Sequence, residues 1–196
     1  MRSLSDPPFA RAVEAIDVAN AADPRATPLA LTEGRLAHEW VLRLAPDAGW
    51  SLQLAARAHH LGRWLIARSD FPEGRAGYLR WRTALRKRQS ELVGAELLAI
   101  GVDEVGVARV QALVRKEGLG ADPEAQVLED AICLVFLQTQ ADTLAARLDD
   151  DRMLNAVRKT LAKMSAPGKA LAAEVPMSDA ARTLLARACA PHMPSA

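Results

Sequence analysis

The sequence predicts an all-α protein, a compact multi-helix bundle, and three observations carry the prediction. Half of the residues are hydrophobic but only 4% are aromatic, with Ala, Leu and Arg dominant, a mixture poor in the residue types that favour strands. Apolar residues recur at helical spacing along the chain, and no alternating strand pattern competes. Clusters of Pro, Gly and Asx interrupt that spacing at short intervals, as the brief connections of bundles require. The length of 196 residues suits one domain over 1–196 with ends expected to fray at 1–6 and 190–196.

The elements follow from this punctuation. A helix is expected over 8–21, ended by Asp23-Pro24, and a second over 29–45, between Thr27-Pro28 and Pro46-Asp47. A third is expected over 49–67, before Phe71-Pro72-Glu73-Gly74, and a fourth over 76–100. The fifth, 103–117, closes at Gly118 and Gly120; the sixth, 123–148, opens on Asp122-Pro123-Glu124, where Asp caps, Pro suits the first helical position and Glu complements the dipole. Two more are expected over 151–164, before Ala166-Pro167-Gly168, and over 178–189.

Composition excludes several classes. Cys133 and Cys189 are too few for a disulfide framework, and Cys133 sits in the apolar run 131–137 as a core thiol. No leader-like apolar stretch opens the chain and no segment approaches the roughly 18 apolar residues of a membrane span. A cytoplasmic protein without a membrane partner is the expectation. Gly-rich phosphate loops, nucleophile elbows and paired Cys-x-x-Cys ligands are absent from the sequence. Lys163-Met164-Ser165 echoes a synthetase signature that works only beside a nucleotide-binding α/β domain, which nothing here supplies.

Ionisable residues on apolar faces point to chemistry. In the helix expected over 49–67, Leu54, Ala58, Leu61 and Leu65 form one apolar row, while Leu52, Ala55, His59, Gly62 and Ile66 form another. That places the helix centrally. His59 lies in the second row and His60 stands about 100° further round. His38 shares a face with Val41, Leu42 and Ala45, and Asp130 has Val127, Cys133, Leu134 and Leu137 at helical spacing. Buried imidazoles and carboxylates need donors, a counter-charge or a metal, so His38, His59, His60 and Asp130 are the candidate metal ligands; hydrogen-bonded core groups are the structural alternative. Glu129, among Ala125, Ile132, Cys133 and Phe136, raises the same question.

The net charge of +1 conceals a basic segment, since residues 63–88 hold eight Arg or Lys against only Asp70 and Glu73. Arg63, Arg68, Arg75 and Arg82, with Tyr78 and Trp81 interleaved, form a candidate phosphate- or substrate-binding surface, because guanidinium forks suit phosphate and aromatic rings stack bases. The same residues also serve as solvated helix faces and core anchors in many proteins. Asp17 and Asn20, one turn apart, either extend the site or face solvent near a helix end.

The run from Arg35-Leu36-Ala37-His38 to Ala58-His59-His60-Leu61-Gly62-Arg63-Trp64 resembles, at the level of pattern, the opening of HD-domain metal phosphohydrolases. These are helical proteins that pair an early His with a later His-Asp doublet and a distant Asp. That resemblance implies a divalent metal (Zn, Mn or Fe) on His38, His59, His60 and Asp130, with His60 standing where that family has Asp. Ile16-Asp17-Val18-Ala19-Asn20, the stretch Phe71 to Arg82 with its Gly-Tyr-Leu-Arg-Trp-Arg string, Leu128 to Leu137 and Arg158 to Ser165 together resemble the domain of unknown function family DUF4202. The family brings no assigned activity; by its pattern His60 matches a usual histidine, His59 a common Gln, and Gln89 a common His, so that Gln89 marks a candidate lost ligand.

Two functional expectations follow. One is a metal-dependent phosphohydrolase-like enzyme acting on a phosphate-bearing small molecule or nucleotide, with non-haem iron oxygenase chemistry as a variant. The other is a non-catalytic helical domain that binds RNA or nucleotide through residues 63–88.

Overall fold

The computed structural model describes residues 7–25, 27, 29–145 and 150–190; residues 1–6 and 191–196, including His192, lie outside the described residues. All regular structure among the described residues is helical. The helices are α1 (Pro7–Ala21), α2 (Leu29–Leu44), α3 (Trp50–Ala58), α4 (Gly74–Ala99), α5 (Glu104–Arg115), α6 (Pro123–Thr139), α7 (Ala141–Ala145), α8 (Asp150–Leu161), α9 (Ala166–Ala172) and α10 (Asp179–Cys189). The chain divides into two compact units, Met1–Leu128 and Glu129–Ala196, with the division inside α6.

In the first unit α3 is packed by α1, α2 and α5. Its Leu52, Leu54, Ala55, Ala56 and Ala58 are all buried, as apolar rows on two sides require. The approach of α2 is close because Gly34 carries no side chain: a Cβ there would stand 2.5 Å from the Arg57 carbonyl oxygen. Glu33 is thereby brought alongside the end of α3. Asp103 caps α5 by accepting from the Gly106 N–H at 2.8 Å. Arg109 then ties α5 to the start of α6, donating to Asp122 at 2.6 Å and also to Glu124. These hydrogen bonds raise its guanidinium pKa.

The expected helix over 49–67 does not run through. α3 ends at Ala58, His59 to Gly62 form a turn, and two single 3-10 turns follow at Arg63–Leu65 and Arg68–Asp70. Gly62 explains the break, for it sits in the left-handed region at φ 64° and a Cβ there would lie 2.3 Å from a Leu92 methyl. The apolar spacing continues past Gly62 only in the sequence, because Leu65 is exposed.

The segment after this turn is fastened to α4. Arg68 donates to the carbonyls of Phe71 at 2.9 Å and Pro72 at 3.0 Å, and Trp81 Nε1 donates to the Ile66 carbonyl at 3.1 Å. Gly77 leaves room for the Pro72 carbonyl, which a Cβ would meet at 1.7 Å.

In the second unit α8 and α7 pack against α10, burying Met153, Val157, Leu161, Leu184 and Leu185. The helix expected over 123–148 is interrupted at Gln140 between α6 and α7. Ala166-Pro167-Gly168, expected to end a helix, instead begins α9: Ser165 accepts from the Gly168 N–H at 3.3 Å and Pro occupies the first turn. Buried Cys133 places its thiol 3.8 Å from the Thr160 carbonyl, the inert setting the apolar run implies. Among the described residues no helix is long and apolar enough to cross a membrane.

Candidate metal centre

The turn after α3 brings the adjacent histidines together, where a continuous helix would point them about 100° apart. Their ring centroids lie 4.1 Å apart with planes at 36°. Together with Glu33 they form a cluster in which one ring nitrogen of each imidazole and one carboxylate oxygen all lie within 4.8 Å of one another. Glu33 is 3% exposed, between buried Ala30 and Ala37 on the apolar face of α2. Sequence reasoning passed over Glu33, although the signal that picked out Asp130, an acid on an apolar helical face, applies equally to it.

Hydrogen-bond partners assign the tautomers. His59 Nδ1 lies 2.7 Å from the Ala56 carbonyl oxygen, so Nδ1 carries the proton and Nε2 the lone pair. That Nε2 is buried and has no hydrogen-bond partner among the described residues. Burial, then the neighbouring His60, push the His59 pKa well below the usual imidazole range, which keeps the lone pair available at neutral pH. His60 Nδ1 hydrogen-bonds to Glu33 Oε2; since the carboxylate can only accept, the imidazole donates. Burial lowers the His60 pKa, opposed by Glu33 and reinforced by the guanidinium groups of Arg63 and Arg82. An imidazole whose far nitrogen bonds a backbone carbonyl, as that of His59 does, is in the usual state of a metal-ligating histidine.

His38 belongs to a second polar network. Its Nδ1 faces Arg57 Nη2 at 3.3 Å, and its Nε2 lies 3.0 Å from Gln53 Oε1. Arg57 can only donate, so Nδ1 accepts and Nε2 carries the proton. Both ring nitrogens are thus engaged, and burial lowers the His38 pKa. Gln53 passes the chain on to the Ala48 carbonyl at 2.8 Å. Asp17 holds Arg57 at 2.7 Å and Arg35 at 3.1 Å, and Asn20 is fully buried, donating to the Arg57 carbonyl at 2.8 Å. Asp17 and Asn20 therefore serve the α1–α3 packing, and Asn20 does not face solvent.

Asp130, in the second unit, is 1% exposed. It accepts from the Ser165 N–H at 2.9 Å and from the Ser165 hydroxyl. The cluster of Glu33, His59 and His60 includes neither Asp130 nor His38. Gln89 is 3% exposed in α4, and its Nε2 has no hydrogen-bond partner among the described residues.

The candidate anion-binding residues divide. Arg63 places its guanidinium 5.0 Å above the Trp81 ring. Burial lowers its pKa, and so does the positive charge of Arg82. Arg82 and Arg63 both act on His60. Arg68 is committed to the Phe71 and Pro72 carbonyls, while Arg75 is exposed on the first turn of α4. Trp81 is 8% exposed and Tyr78, leaning on it at 5.8 Å between centroids, is 46% exposed. Trp81 is thus the anchor and Tyr78 the outward-facing ring.

A family model described as a domain of unknown function matches residues 10–185. No curated protein and no solved structure gives a significant match.

Proposed function

The chain belongs to the DUF4202 family, which assigns no reaction, and on that footing we propose that the protein is a metal-dependent phosphohydrolase-like enzyme whose divalent ion is held by Glu33, His59 and His60. The observation that carries the reading is the buried, partnerless His59 Nε2. A buried nitrogen lone pair left unsatisfied costs about 1–3 kcal/mol, and His59 offers a ring nitrogen within 4.8 Å of a ring nitrogen of His60 and a carboxylate oxygen of Glu33. A cation of the Zn, Mn or Fe type uses that lone pair and is balanced by the Glu33 charge.

Two imidazoles and one carboxylate are a donor set that leaves open positions for water and substrate. The bound ion supplies a water of lowered pKa and neutralises phosphate charge. The chain supplies the rest. Ala56 fixes the His59 ring, the proton that His60 Nδ1 donates to Glu33 would shift to Nε2 so that both groups can take the ion, and Arg63 with Arg82 place positive charge beside the imidazoles for a phosphate group. Because the same donor set also suits Fe(II), the identity of the ion separates hydrolysis from oxygenase chemistry.

Elemental analysis of untagged protein, purified without chelators, tests the reading. We expect close to one equivalent of Zn, Mn or Fe per chain, lost in His59→Leu and Glu33→Gln, with phosphomonoester hydrolysis lost in parallel. Folded wild-type protein that neither carries metal nor takes up added metal would overturn it.

A further inference from the structure

We propose that the centre opens onto a nucleotide site, in which Arg63 and Arg82 hold the phosphate and the exposed face of Tyr78 stacks on the base. The inference rests on the phosphohydrolase reading for its reaction, although its binding can be measured independently.

Charge and aromatic surface converge here. Among the described residues neither Arg63 nor Arg82 is in a salt bridge with a carboxylate, and the positive charge of Arg82 acts on Arg63. Two like-charged guanidinium groups repel, an anion between them relieves that repulsion, and a phosphate monoester carries about two negative charges at neutral pH. Arg63 and Tyr78 both lie against Trp81, the guanidinium 5.0 Å from its ring and the Tyr78 ring 5.8 Å from it between centroids.

Tyr78 precedes Arg82 by four residues on α4, which puts both on one helix face. Its ring is backed on one side by Trp81, yet it remains 46% exposed. Trp81 is itself pinned by Ile66 and covered by Arg63. The anchored Trp81 gives the Tyr78 ring a fixed surface to rest on, which lowers the ordering cost of binding. The Trp81 bond to Ile66 and the close seating of Pro72 on Gly77 hold the segment after the histidine turn to the same helix.

The observations favour a mononucleotide over a nucleic-acid strand. Nucleic-acid strands need a basic track that follows many phosphates, and the basic segment is interrupted. Arg68 is committed to backbone carbonyls, and Lys87 and Arg88 share Glu91 at 4.0 and 3.7 Å.

Titration calorimetry with AMP, GMP, CMP and UMP, against ribose 5-phosphate and a single-stranded decaribonucleotide, tests the proposal. At least one mononucleotide should bind about ten-fold or more tightly than ribose 5-phosphate, the scale of one base stacked on an aromatic ring. Tyr78→Ala should remove that preference while leaving ribose 5-phosphate affinity and metal content unchanged, and Tyr78→Phe should keep it. Arg82→Gln should weaken nucleotide and ribose 5-phosphate alike. Equal affinity of all mononucleotides and ribose 5-phosphate in the wild type, a preference that survives Tyr78→Ala, or binding of the decanucleotide alone would overturn the proposal. Nucleotide binding by protein that holds no metal would sustain it and end the hydrolase reading.

Discussion

Replacing Gly34 with Ala sets two physical effects of opposite sign against each other. In a helix interior Ala is favoured over Gly by about 0.8–1.0 kcal/mol, so propensity alone predicts a more stable protein. The new Cβ, however, would lie 2.5 Å from the Arg57 carbonyl oxygen and 3.3 Å from Asn20 Nδ2. A backbone oxygen at the end of α3 cannot swing aside, so α2 must withdraw by roughly 1 Å, a gap that forfeits up to half of each dispersion contact across it. Overpacking of this kind costs about 1–3 kcal/mol, and weakening the Asn20 to Arg57 hydrogen bond adds about 1 kcal/mol. The expected net loss is about 1–3 kcal/mol, with metal affinity falling as Glu33 moves off His60. Gly94 supplies the control, because its Cβ would meet only the Gln111 side-chain amide, at 2.2 Å. That amide can rotate away, giving up one hydrogen bond to the Ser90 carbonyl, so Gly94→Ala should come out near neutral. Urea denaturation of both variants, read as midpoint shifts at constant slope, makes the comparison. Gly34→Ala as stable as the wild type, or indistinguishable from Gly94→Ala, would refute the close approach of α2 and α3.

Acid should destabilise the protein before carboxylates titrate. His38, His59 and His60 all have lowered pKa values in the fold, chiefly through burial, so below about pH 6.5 the unfolded chain binds more protons than the folded one. Stability is therefore fully present above that value and is lost as pH falls, at up to about 1.4 kcal/mol per pH unit per group; chemical denaturation of metal-free protein at pH 7, 6 and 5 measures it, and a flat profile would contradict the burial. Ser165→Ala removes both the α9 cap and a hydroxyl donor to buried Asp130. With about 1 kcal/mol for the cap and 1.5–3 kcal/mol for a bond to a charged group, thermal melts should show a loss of about 2–4 kcal/mol; a loss well under 1 kcal/mol would show that Asp130 draws its support from elsewhere.

Helical class was legible because composition and spacing act locally, and the Pro and Gly breaks gave most helix limits to within a few residues. The misread elements share a cause. Gly62 in its left-handed conformation ends α3 before the histidines, and Ser165 turns Ala-Pro-Gly from a stop into a start; both are single-residue backbone decisions that apolar periodicity does not register. The histidine doublet draws attention in the sequence because buried imidazoles are costly wherever they fall, and the structure sets Glu33 beside it. Glu33 carries the same sequence signal as Asp130, an acid on an apolar helical face, but its nearness to the histidines depends on how α2 packs on α3. His38, chosen by its spacing from His59, is satisfied by Gln53 and Arg57, and no reading of one chain in isolation reveals that pairing.

The link between Glu33 and His60 spans only 27 residues. Closing a flexible segment of that length costs on the order of 3 kcal/mol of chain entropy, and the cost grows only logarithmically. Such a short-range pair can form early in folding, as soon as two neighbouring helices dock, without waiting for distant parts of the chain. A cation arriving at that stage would join α2 to the turn after α3 and act as a fastener during folding as well as a centre of chemistry afterwards.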